Sequence, residues 1–431
     1  MNLSEKDFKY IWHPYTHQKN RLPAIPVLKG KKTILYDEEG KKYIDGISSW
    51  WVNIHGHGNK YIAKKIYQQA KKLEQVIFAG FTHEPAVKLA EKLIKILPGN
   101  FSKIFYSDNG STATEVAIKM GLQYWLNQGE KNRNKILAFH HSYHGDTFGA
   151  MSISERGTFT WAFRDKLFEV IFIETPAEEN IHKLIEEVRN YNNEIACFIY
   201  EPLLQGAGGM RMYDAKNLDT FLSFLKEEKI VCIADEVLTG FYRTGRFFAG
   251  DYVSEKADII CLSKGITGGT MALGVTACTQ DIYDAFVSDD KSKTFYHGHS
   301  FTANPLACTA ALASLKLLQK NKQRLQIEEI VSTQNEFVKI LQPFETENII
   351  KNLRQLGTIM AFEVNTNEKD GYLQNIGMEF TNYCLDNGVY LRALGNTIYM
   401  MPPYCITKKE LKKIHDTIIN FLEKNYSEGF A

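Results

Sequence analysis

The sequence of 431 residues lacks an excess of charge, since 51 Lys and Arg residues balance 50 Asp and Glu residues and leave a net charge of +1. Because acids and bases are mixed throughout, no basic surface for nucleic acid or for a membrane is indicated. No apolar stretch approaches the length of a membrane span, and residues 1–7 lack the apolar core of a signal peptide. These absences predict a cytoplasmic protein whose partners include neither nucleic acid nor membrane.

Cysteine is also scarce, at seven residues. Four of the seven lie in apolar runs: Cys197, Cys232, Cys261 and Cys278. An odd number of cysteines, placed largely in apolar runs, predicts reduced core thiols rather than a disulfide framework. The histidines within 55–57, 140–141 and 297–299 lack the helical pairing with a carboxylate that is typical of zinc sites, so no metal is predicted.

Short apolar runs of β type alternate with helical patterns from about residue 100 to residue 280. The runs are 136–139, 195–200, 230–234, 259–262 and 273–278. Such alternation predicts an α/β fold with a mostly parallel sheet covered by helices. Past Asn304-Pro305 a long helical pattern begins, and the remainder mixes helices with strand-like pieces, which indicates a smaller α+β domain. We therefore predict an N-terminal segment (1–50) that contributes to the small domain and the active-site mouth, a large domain (51–315) and a C-terminal small domain (316–431).

Two of these runs end close to residues that can carry out catalysis. The run 230–234 is followed by Asp235, and the run 259–262 is followed, one residue later, by Lys264. An open α/β sheet binds its ligand at the carboxyl ends of its strands. A desolvated lysine that can form a Schiff base, with an acid to hold a pyridinium nitrogen, is what pyridoxal 5'-phosphate (PLP) requires. A lysine after a strand is more often a solvated loop residue, and taken alone Lys264 favours that interpretation; further features of the sequence reverse the balance.

Two further segments favour the cofactor. After the strand-like run 103–106, Gly110 and Ser111 stand at the start of a helical pattern, where free backbone N–H groups and the helix dipole attract a phosphate. An ordinary helix N-cap explains these residues equally well. After the run 136–139, Tyr143 lies in a His- and Gly-containing loop from which it could stack on a flat ring, and a surface tyrosine in a turn is the alternative.

The segment from Asp235 to Arg246, taken together with Lys264 at its spacing, resembles the class III aminotransferases of the PLP fold-type I group. Glu201-Pro202 followed by Gln205-Gly206 is similar to a further strand-end motif of that family, and the resemblance runs from about residue 10 to beyond residue 400. It implies the fold of that group, in which a large domain with a mostly parallel seven-stranded sheet is joined to a smaller α+β domain.

The resemblance also implies a role for each cofactor residue. Gly110 and Ser111 bind the phosphate, and Tyr143 stacks on the ring and borders the substrate. Asp235 pairs with the pyridine nitrogen. Lys264 binds the cofactor covalently and, once displaced by the donor amine, transfers the proton. The reaction follows a ping-pong course, in which the donor amine reacts before the acceptor ketone.

Five segments resemble those members of the family that aminate 8-amino-7-oxononanoate with S-adenosylmethionine in biotin biosynthesis. They are His13–Thr16, Ser49–Trp51, Tyr143–Thr147, Gly298–Ser300 and Tyr399–Tyr404. By that resemblance, Trp50 and Arg392 hold the oxononanoate, whose carboxylate suits an arginine fork. Tyr15 lies at the adenine of the donor and counts among the catalytic residues. Gly298 contacts the substrate, whereas the His299-Ser300 pair reaches the phosphate of the neighbouring subunit in a homodimer.

Several alternatives stay open at this point. Trp50 could pack in a core and Arg392 could form a surface ion pair. The family often has Pro-Thr where this chain has His299-Ser300, and Ala393 stands where a proline often follows the arginine, so the shape of the substrate pocket is open. Lysine could replace S-adenosylmethionine as the donor. The chain could also be another class III ω-aminotransferase acting on ornithine, 4-aminobutyrate or a polyamine, an aminomutase, or a PLP-binding regulator without catalysis.

Overall fold

The computed structural model describes residues 1–19, 21–366 and 372–426. Its strands, in chain order, are β1 (Val27–Lys31), β2 (Ile34–Asp37), β3 (Lys42–Asp45), β4 (Phe101–Ser107), β5 (Lys135–Phe139), β6 (Ile171–Ile173), β7 (Ile195–Tyr200), β8 (Leu204–Gln205), β9 (Arg211–Met212), β10 (Val231–Asp235), β11 (Ile259–Leu262), β12 (Gly274–Thr279), β13 (Ile350–Leu356), β14 (Ile359–Val364), β15 (Val389–Tyr390) and β16 (Thr397–Met400). Its α-helices are α1 (Leu3–Tyr10), α2 (Ser48–Trp51), α3 (Lys60–Ala70), α4 (Glu84–Ile94), α5 (Gly110–Asn127), α6 (Phe148–Ser152), α7 (Ile181–Arg189), α8 (Ala215–Glu227), α9 (Gln280–Asp284), α10 (Pro305–Leu318), α11 (Asn321–Thr346), α12 (Ile376–Asp386) and α13 (Lys408–Tyr426). Short 3₁₀ helices cover Trp161–Lys166, Asn192–Glu194, Ala249–Tyr252, Lys264–Thr267 and Lys291–Lys293.

A seven-stranded sheet forms the centre of the described structure, with the strand order β4-β12-β11-β10-β7-β5-β6. The strands from β11 to β6 in this order run parallel to one another, whereas β12 lies antiparallel to both β11 and β4. Every residue of β7 and β10 is buried, as expected for parallel strands whose two faces are covered by helices. The mostly parallel sheet that the sequence predicts is thus confirmed.

The register of the ladders decides where the functional side chains emerge. Ala234 of β10 pairs with Tyr200 of β7, and Asp235 pairs with Cys261 of β11. Parallel neighbours therefore end at the same edge of the sheet, where ligands bind in open α/β folds. Glu201, Asp235 and the residues that follow β11 consequently lie side by side at this edge.

The N-terminal strands pack with the C-terminal part of the chain. β1, β2 and β3 form a sheet with β15, in which β3 runs parallel to β15 with Ile44 opposite Val389. A separate antiparallel sheet of β13, β14 and β16 is covered by α11, which packs against β13. These contacts join the N-terminal segment to the C-terminal region, while the exact domain boundaries stay a prediction.

Among the described residues, no helix is both long and apolar enough to cross a membrane. The seven cysteines are free, and six of them are buried. Within residues 1–19, 21–366 and 372–426, no group of three His, Cys, Asp or Glu side chains is arranged to hold a metal ion.

Candidate active site

A cavity of about 670 Å³ opens at the carboxyl edge of the central sheet. Five residues that the sequence analysis assigns to the cofactor line it: Gly110, Ser111, Tyr143, Asp235 and Lys264. They come from four separate stretches of chain, which the strand order of the sheet brings to one place. The structure therefore assembles this part of the predicted site within a single chain.

Lys264 lies on the floor of the cavity, two residues after β11 ends. Its backbone has a φ of 44°, in the left-handed region that non-glycine residues rarely adopt, and such strain is typical of functional positions. Its Nζ atom is 4.6 Å from the ring centroid of Trp51. Burial lowers the pKa of the Lys264 amine from 10.5 to about 8, against the opposing effect of Asp235 and Glu201. The amine of Lys264 therefore loses its proton, and becomes nucleophilic, more readily than that of a solvent-exposed lysine.

Asp235 is held rigidly at the end of β10. Its Oδ1 atom accepts from the backbone N–H of Val237 at 3.0 Å, and its Oδ2 atom lies 2.6 Å from Nδ1 of His144. Nε2 of His144 is buried and has no partner. Since Nδ1 donates to the carboxylate, the histidine fixes the orientation of Asp235 and neutralises part of its charge. Sequence reasoning assigned no role to His144, whose only signal was its place beside Tyr143.

An anion cradle is formed where α5 begins. Asn109 caps the helix, since its side chain accepts from the backbone N–H of Thr112 at 3.0 Å. The first-turn amides at Gly110 and Ser111 have no acceptor within the helix. Opposite them, a Cβ atom at Gly145 would lie 2.1 Å from Oγ of Ser111, so only glycine lets the loop after β5 approach this closely.

Four predicted residues from distant parts of the chain meet at the mouth of the cavity. The hydroxyl groups of Tyr15 and Tyr143 are 3.1 Å apart, and the ring centroids of Tyr15 and Trp50 are 5.5 Å apart. The guanidinium of Arg392 lies 5.1 Å from the Trp50 ring centroid, and its Nη2 donates to the backbone oxygen of Tyr15 at 3.3 Å. Tyr15 also donates a short hydrogen bond to Asp146. Burial raises the pKa of Tyr15 and of Tyr143 well above the usual range for tyrosine, so both hydroxyls stay protonated.

The loop that contains Gly298, His299 and Ser300 lies away from this cavity. The backbone oxygen of Ser300 accepts from Gln75 at 2.6 Å, and Nε2 of His299 is buried with no partner. None of the three residues lines the cavity of its own chain. Their predicted contacts with substrate and with the cofactor of a neighbouring subunit stay predictions.

Two further cavity residues were quoted in the sequence only as parts of motifs. Glu201 follows β7 and accepts from the backbone N–H groups of Tyr143 at 3.0 Å and Gly206 at 2.8 Å, and burial raises its pKa from 4.5 to about 7. Trp51 is buried and donates from Nε1 to the hydroxyl of Tyr399 at 2.9 Å. The position of Glu201 at a strand end was the signal that could have marked it.

Comparisons with known proteins decide the family. The model of the family described as "Aminotransferase class-III" matches residues 15–422. The chain belongs to the class III aminotransferases. The adenosylmethionine-8-amino-7-oxononanoate aminotransferase of Synechococcus elongatus is 44% identical, over 96% of this chain and 99% of that protein. The enzyme of the same name from Staphylococcus aureus is 38% identical over 95% of each chain. A crystal structure of the enzyme of that name from Methanocaldococcus jannaschii matches with a TM-score of 0.92 and 34% identity, covering 98% of both chains.

Membership of this class confirms the predicted fold and the assignment of the chain as an aminotransferase. Class III aminotransferases depend on PLP in general, and the cavity offers what that group needs. It holds a buried amine in Lys264, a carboxylate with a fixed hydrogen-bond partner in Asp235, an anion cradle at Gly110 and Ser111, and an aromatic ring in Tyr143. The residues present therefore fit the cofactor of the class.

Proposed function

We propose that this protein transfers the amino group of S-adenosylmethionine to 8-amino-7-oxononanoate, giving 7,8-diaminononanoate in biotin biosynthesis, with PLP as cofactor. The names of its full-length relatives support the reaction. The single structural observation that carries it is the position of Tyr143, which lines the cavity beside Lys264 and also contacts Tyr15, the residue against which Trp50 and Arg392 pack.

Five residues are proposed to hold the cofactor. The cradle at Gly110 and Ser111 would take its phosphate, the Tyr143 ring would cover one face, and Asp235 would accept from the pyridine nitrogen. Lys264 would form the covalent bond. When bound, the pyridine ring withdraws electrons from the carbon atom that loses a proton. The His144 contact keeps the Asp235 carboxylate oriented toward that ring.

Lys264 is also proposed to move the proton between donor carbon and cofactor. A general base works best when its pKa is near the operating pH. Burial brings the pKa of the Lys264 amine to about 8, and the neighbouring Trp51 ring excludes water from its surroundings. The amine can therefore accept a proton and return it within the same enclosed space.

The mouth suits an acceptor with a carboxylate at the end of an apolar chain. Arg392 offers a planar fork for the carboxylate. Trp50, 5.1 Å from that guanidinium, offers an apolar face along which the methylene chain of 8-amino-7-oxononanoate can lie. Tyr143, which lines the cavity with Lys264, contacts Tyr15, and Tyr15 contacts Trp50. Because the carboxylate site is thus separated from the amine by these side chains, a long, unbranched acceptor suits the arrangement better than a short amino acid.

The donor is proposed to bind at Tyr15. The ring of Tyr15 packs edge-on against Trp50 and Phe159, with centroid distances of 5.5 and 5.6 Å. Asp146, which accepts from the Tyr15 hydroxyl, places a negative charge beside these rings. An adenine ring joined to a positively charged sulfonium uses both features, whereas the side chain of lysine uses only the charge.

The protein is further proposed to be a cytoplasmic homodimer with shared sites. The loop from Gly298 to Ser300 is remote from its own cavity, and apolar side chains near it, Phe301 and Tyr296, are exposed in one chain. A second copy would cover these side chains and bring His299-Ser300 to the phosphate end of the partner's cavity. Light scattering of the purified protein tests the assembly, and an active monomer would exclude it.

A donor screen tests the reaction. The PLP-loaded enzyme is mixed with S-adenosylmethionine, lysine, ornithine, 4-aminobutyrate or a polyamine, and the absorbance bands of the cofactor are followed in single turnover. 8-Amino-7-oxononanoate is then added, and the product is identified by mass spectrometry. We expect rapid conversion with S-adenosylmethionine and formation of 7,8-diaminononanoate. If lysine reacts and S-adenosylmethionine does not, the assignment of the donor is wrong and that of the acceptor is kept. If 8-amino-7-oxononanoate is aminated with none of the donors, the proposal fails.

A further inference from the structure

The segment Ser48–Trp51, named α2 above, is in fact a turn with a strained, largely non-helical backbone. The φ angles of Ser48, Ser49 and Trp51 are 54°, 63° and 68°, all positive, and Trp50 between them has a φ of −127° and a ψ of 61°. Serine and tryptophan have no intrinsic preference for a positive φ, so the backbone keeps this conformation only because the surrounding structure enforces it. The turn presents both tryptophans of the site, Trp50 at the mouth and Trp51 beside Lys264.

The carboxylate of Asp45 holds this turn in place. Asp45 ends β3, and its exposed fraction is 0%. Its Oδ1 atom accepts from the backbone N–H of Ile47 at 3.1 Å, and its Oδ2 atom accepts from the backbone N–H of Ser49 at 2.7 Å. The hydroxyl of Ser49 is 3.3 Å from the same oxygen. One buried carboxylate thus accepts from two backbone amides of the turn that have no partner in a helix or a sheet.

His57 completes the arrangement from the opposite side. Its Nε2 atom lies 2.8 Å from Oδ2 of Asp45, and its Nδ1 atom lies 2.8 Å from the side-chain amide of Asn53. Because the Asn53 amide donates to Nδ1, the proton of the ring is on Nε2 and is donated to Asp45. The backbone of Asn53 in turn packs on Gly269, where a Cβ atom would come within 3.0 Å of Cα of Asn53. This chain of contacts connects the turn with the Gly-rich loop that follows Lys264.

We propose that Asp45 and His57 form a positioning pair that sets the indole of Trp50 for the acceptor and keeps Trp51 over Lys264. The pair touches no substrate and acts through the turn alone. The substrate named in this inference rests on the function proposed above. The competing explanation is that Asp45 only stabilises the fold, because its neighbour Gly46 also bonds to Tyr390 across the β3–β15 boundary.

Asp37 supplies a matched control in the same N-terminal hairpin. Its Oδ1 atom accepts from the backbone N–H groups of Glu39 and Lys41 at 3.1 and 2.8 Å, and its Oδ2 atom accepts from the hydroxyl of Tyr43 at 2.9 Å. Like Asp45 it is a buried carboxylate that fixes a turn, but its partners stay within the hairpin. Asp37→Asn therefore measures the loss of stability that follows when a buried carboxylate is removed. Asp45→Asn should cause a similar loss and, in addition, displace Trp50 and Trp51.

The test uses the PLP-loaded enzyme. Near-ultraviolet circular dichroism reports the tryptophan environment without substrate, and steady-state kinetics give KM and kcat separately. We expect Asp45→Asn to change the tryptophan bands and to raise KM for 8-amino-7-oxononanoate about tenfold, with a smaller fall in kcat. Asp37→Asn should lower Tm to a similar extent and change KM less than about twofold. If Asp45→Asn does not fold, His57→Gln is measured instead, because it removes the contact between His57 and Asp45. We then expect the same changes in the tryptophan bands and in KM.

A double-mutant cycle distinguishes positioning from general stability. If Asp45 acts through Trp50, the combined variant Asp45→Asn/Trp50→Ala should bind the acceptor no worse than Trp50→Ala alone, within about twofold. Additive losses, or an unchanged tryptophan spectrum in Asp45→Asn and His57→Gln, would overturn the inference. If the wild type aminates a different ketone, the proposed function fails. The tryptophan circular dichroism and the double-mutant cycle, measured with that ketone, would still test whether Asp45 and His57 position the tryptophans.

Discussion

The floor and the mouth of the cavity are built in opposite ways. The floor consists of Glu201, Asp235 and the lysine after β11, which emerge from three neighbouring strands of one sheet and are enclosed by protein. The mouth is formed by Tyr15, Trp50 and others from sequence positions far apart, with Tyr15 and Trp50 37% and 42% exposed. A ladder of backbone hydrogen bonds fixes the floor, whereas side-chain contacts between loops fix the mouth.

This difference separates two tasks. Proton transfer requires a rigid, dry position, and the parallel ladder provides it here. Selecting donor and acceptor requires surfaces that can differ between enzymes, and loops tolerate such change. We therefore expect changes in the floor to reduce turnover with every substrate, and changes in the mouth to act on particular substrates.

The largest effect should come from Lys264→Ala. We expect turnover to fall by about 10⁴-fold or more, because the variant lacks both the covalent attachment and the proton carrier. Mass spectrometry after borohydride reduction of the wild type should place the cofactor adduct on Lys264. Lys256→Ala, which removes another partly buried lysine near the sheet, serves as the control. An adduct on a different lysine would show that the floor has been assigned wrongly.

Asp235→Asn should act on the floor without removing the cofactor. Loss of the carboxylate charge weakens the hold on the protonated ring, and we expect single-turnover proton abstraction to slow by about 10²–10³-fold. The slowing should be equal for every donor. Asp258→Asn is the matched control, because Asp258 also accepts from a backbone amide between strands, that of Cys232, but lies away from the cavity. Rates near those of the wild type would contradict the role.

Arg392→Ala should act on the acceptor rather than on chemistry. A charge-assisted hydrogen bond is lost, and we expect KM for 8-amino-7-oxononanoate to rise by about 10–100-fold while the donor half-reaction changes less. Arg392→Lys should recover little, since it lacks the planar fork. Arg211→Ala removes an exposed arginine of β9 and should leave KM unchanged. An equal loss in both half-reactions would contradict a role in acceptor binding, because it would show that Arg392 affects turnover with every substrate.

Tyr15→Ala should separate the two donors. Stacking of an aromatic side chain on a base is worth roughly 1–3 kcal/mol, so we expect the half-reaction with S-adenosylmethionine to weaken by about tenfold. Any turnover with lysine should change far less, because lysine has no ring to stack. Tyr15→Phe, which retains the ring and removes the hydroxyl bonded to Asp146, is the matched control. Equal losses with both donors would mean that Tyr15 only closes the wall of the pocket.

The smallest effect concerns the pH dependence of stability that is set by Glu236, the buried residue after Asp235. Burial raises the pKa of Glu236 from 4.5 to about 7, although Thr239, Ala249 and Gly250 donate to it. A pKa that is higher in the folded state contributes stability that is complete below the unfolded value and is lost as the pH rises through about 7. Glu236→Gln keeps a neutral side chain, so its Tm deficit relative to the wild type should be largest near pH 5 and smaller near pH 8.

Exposed Glu84 serves as a comparison, because its pKa is shifted in the opposite direction from that of Glu236. Lys88 lowers its pKa, so its contribution is present above the unfolded value and lost only as the pH falls through the folded one. The Tm difference for Glu84→Gln should therefore stay constant between about pH 5 and pH 8. Thermal scans at several pH values measure both variants, and a constant deficit for Glu236→Gln would contradict the raised pKa.

The floor could be predicted largely from local pattern. Apolar runs placed Asp235 and Lys264 at strand ends, and the rule that such ends share an edge brought them together. The role of His144 could not be predicted in this way, because its partner Asp235 lies 91 residues away and only the ladder register makes them meet. The same holds for Glu201, whose contact with the Tyr143 backbone spans 58 residues.

The mouth could be predicted only through family resemblance. Arg392 donates to the backbone of Tyr15 across 377 residues, and no local pattern of charge or hydropathy indicates such a contact. The strained turn at Ser48–Trp51 has no signal in composition either, since neither serine nor tryptophan favours a positive φ. Tertiary contacts, above all those of Asp45, impose that geometry, and a sequence pattern reports intrinsic preferences alone.

The pairing of β3 with β15 has a consequence for how the protein is made. Ile44 of β3 lies opposite Val389 of β15, and its backbone N–H donates to the backbone oxygen of Gly388 at 2.9 Å. A ribosome adds 5–20 residues per second, so the N-terminal strands emerge on the order of 20–70 s before their partner exists. During that interval their edge is open to other nascent chains. The mouth can therefore be completed only late in synthesis, and a ribosome that stalls before residue 389 releases a chain with a sheet edge that its own sequence can no longer cover.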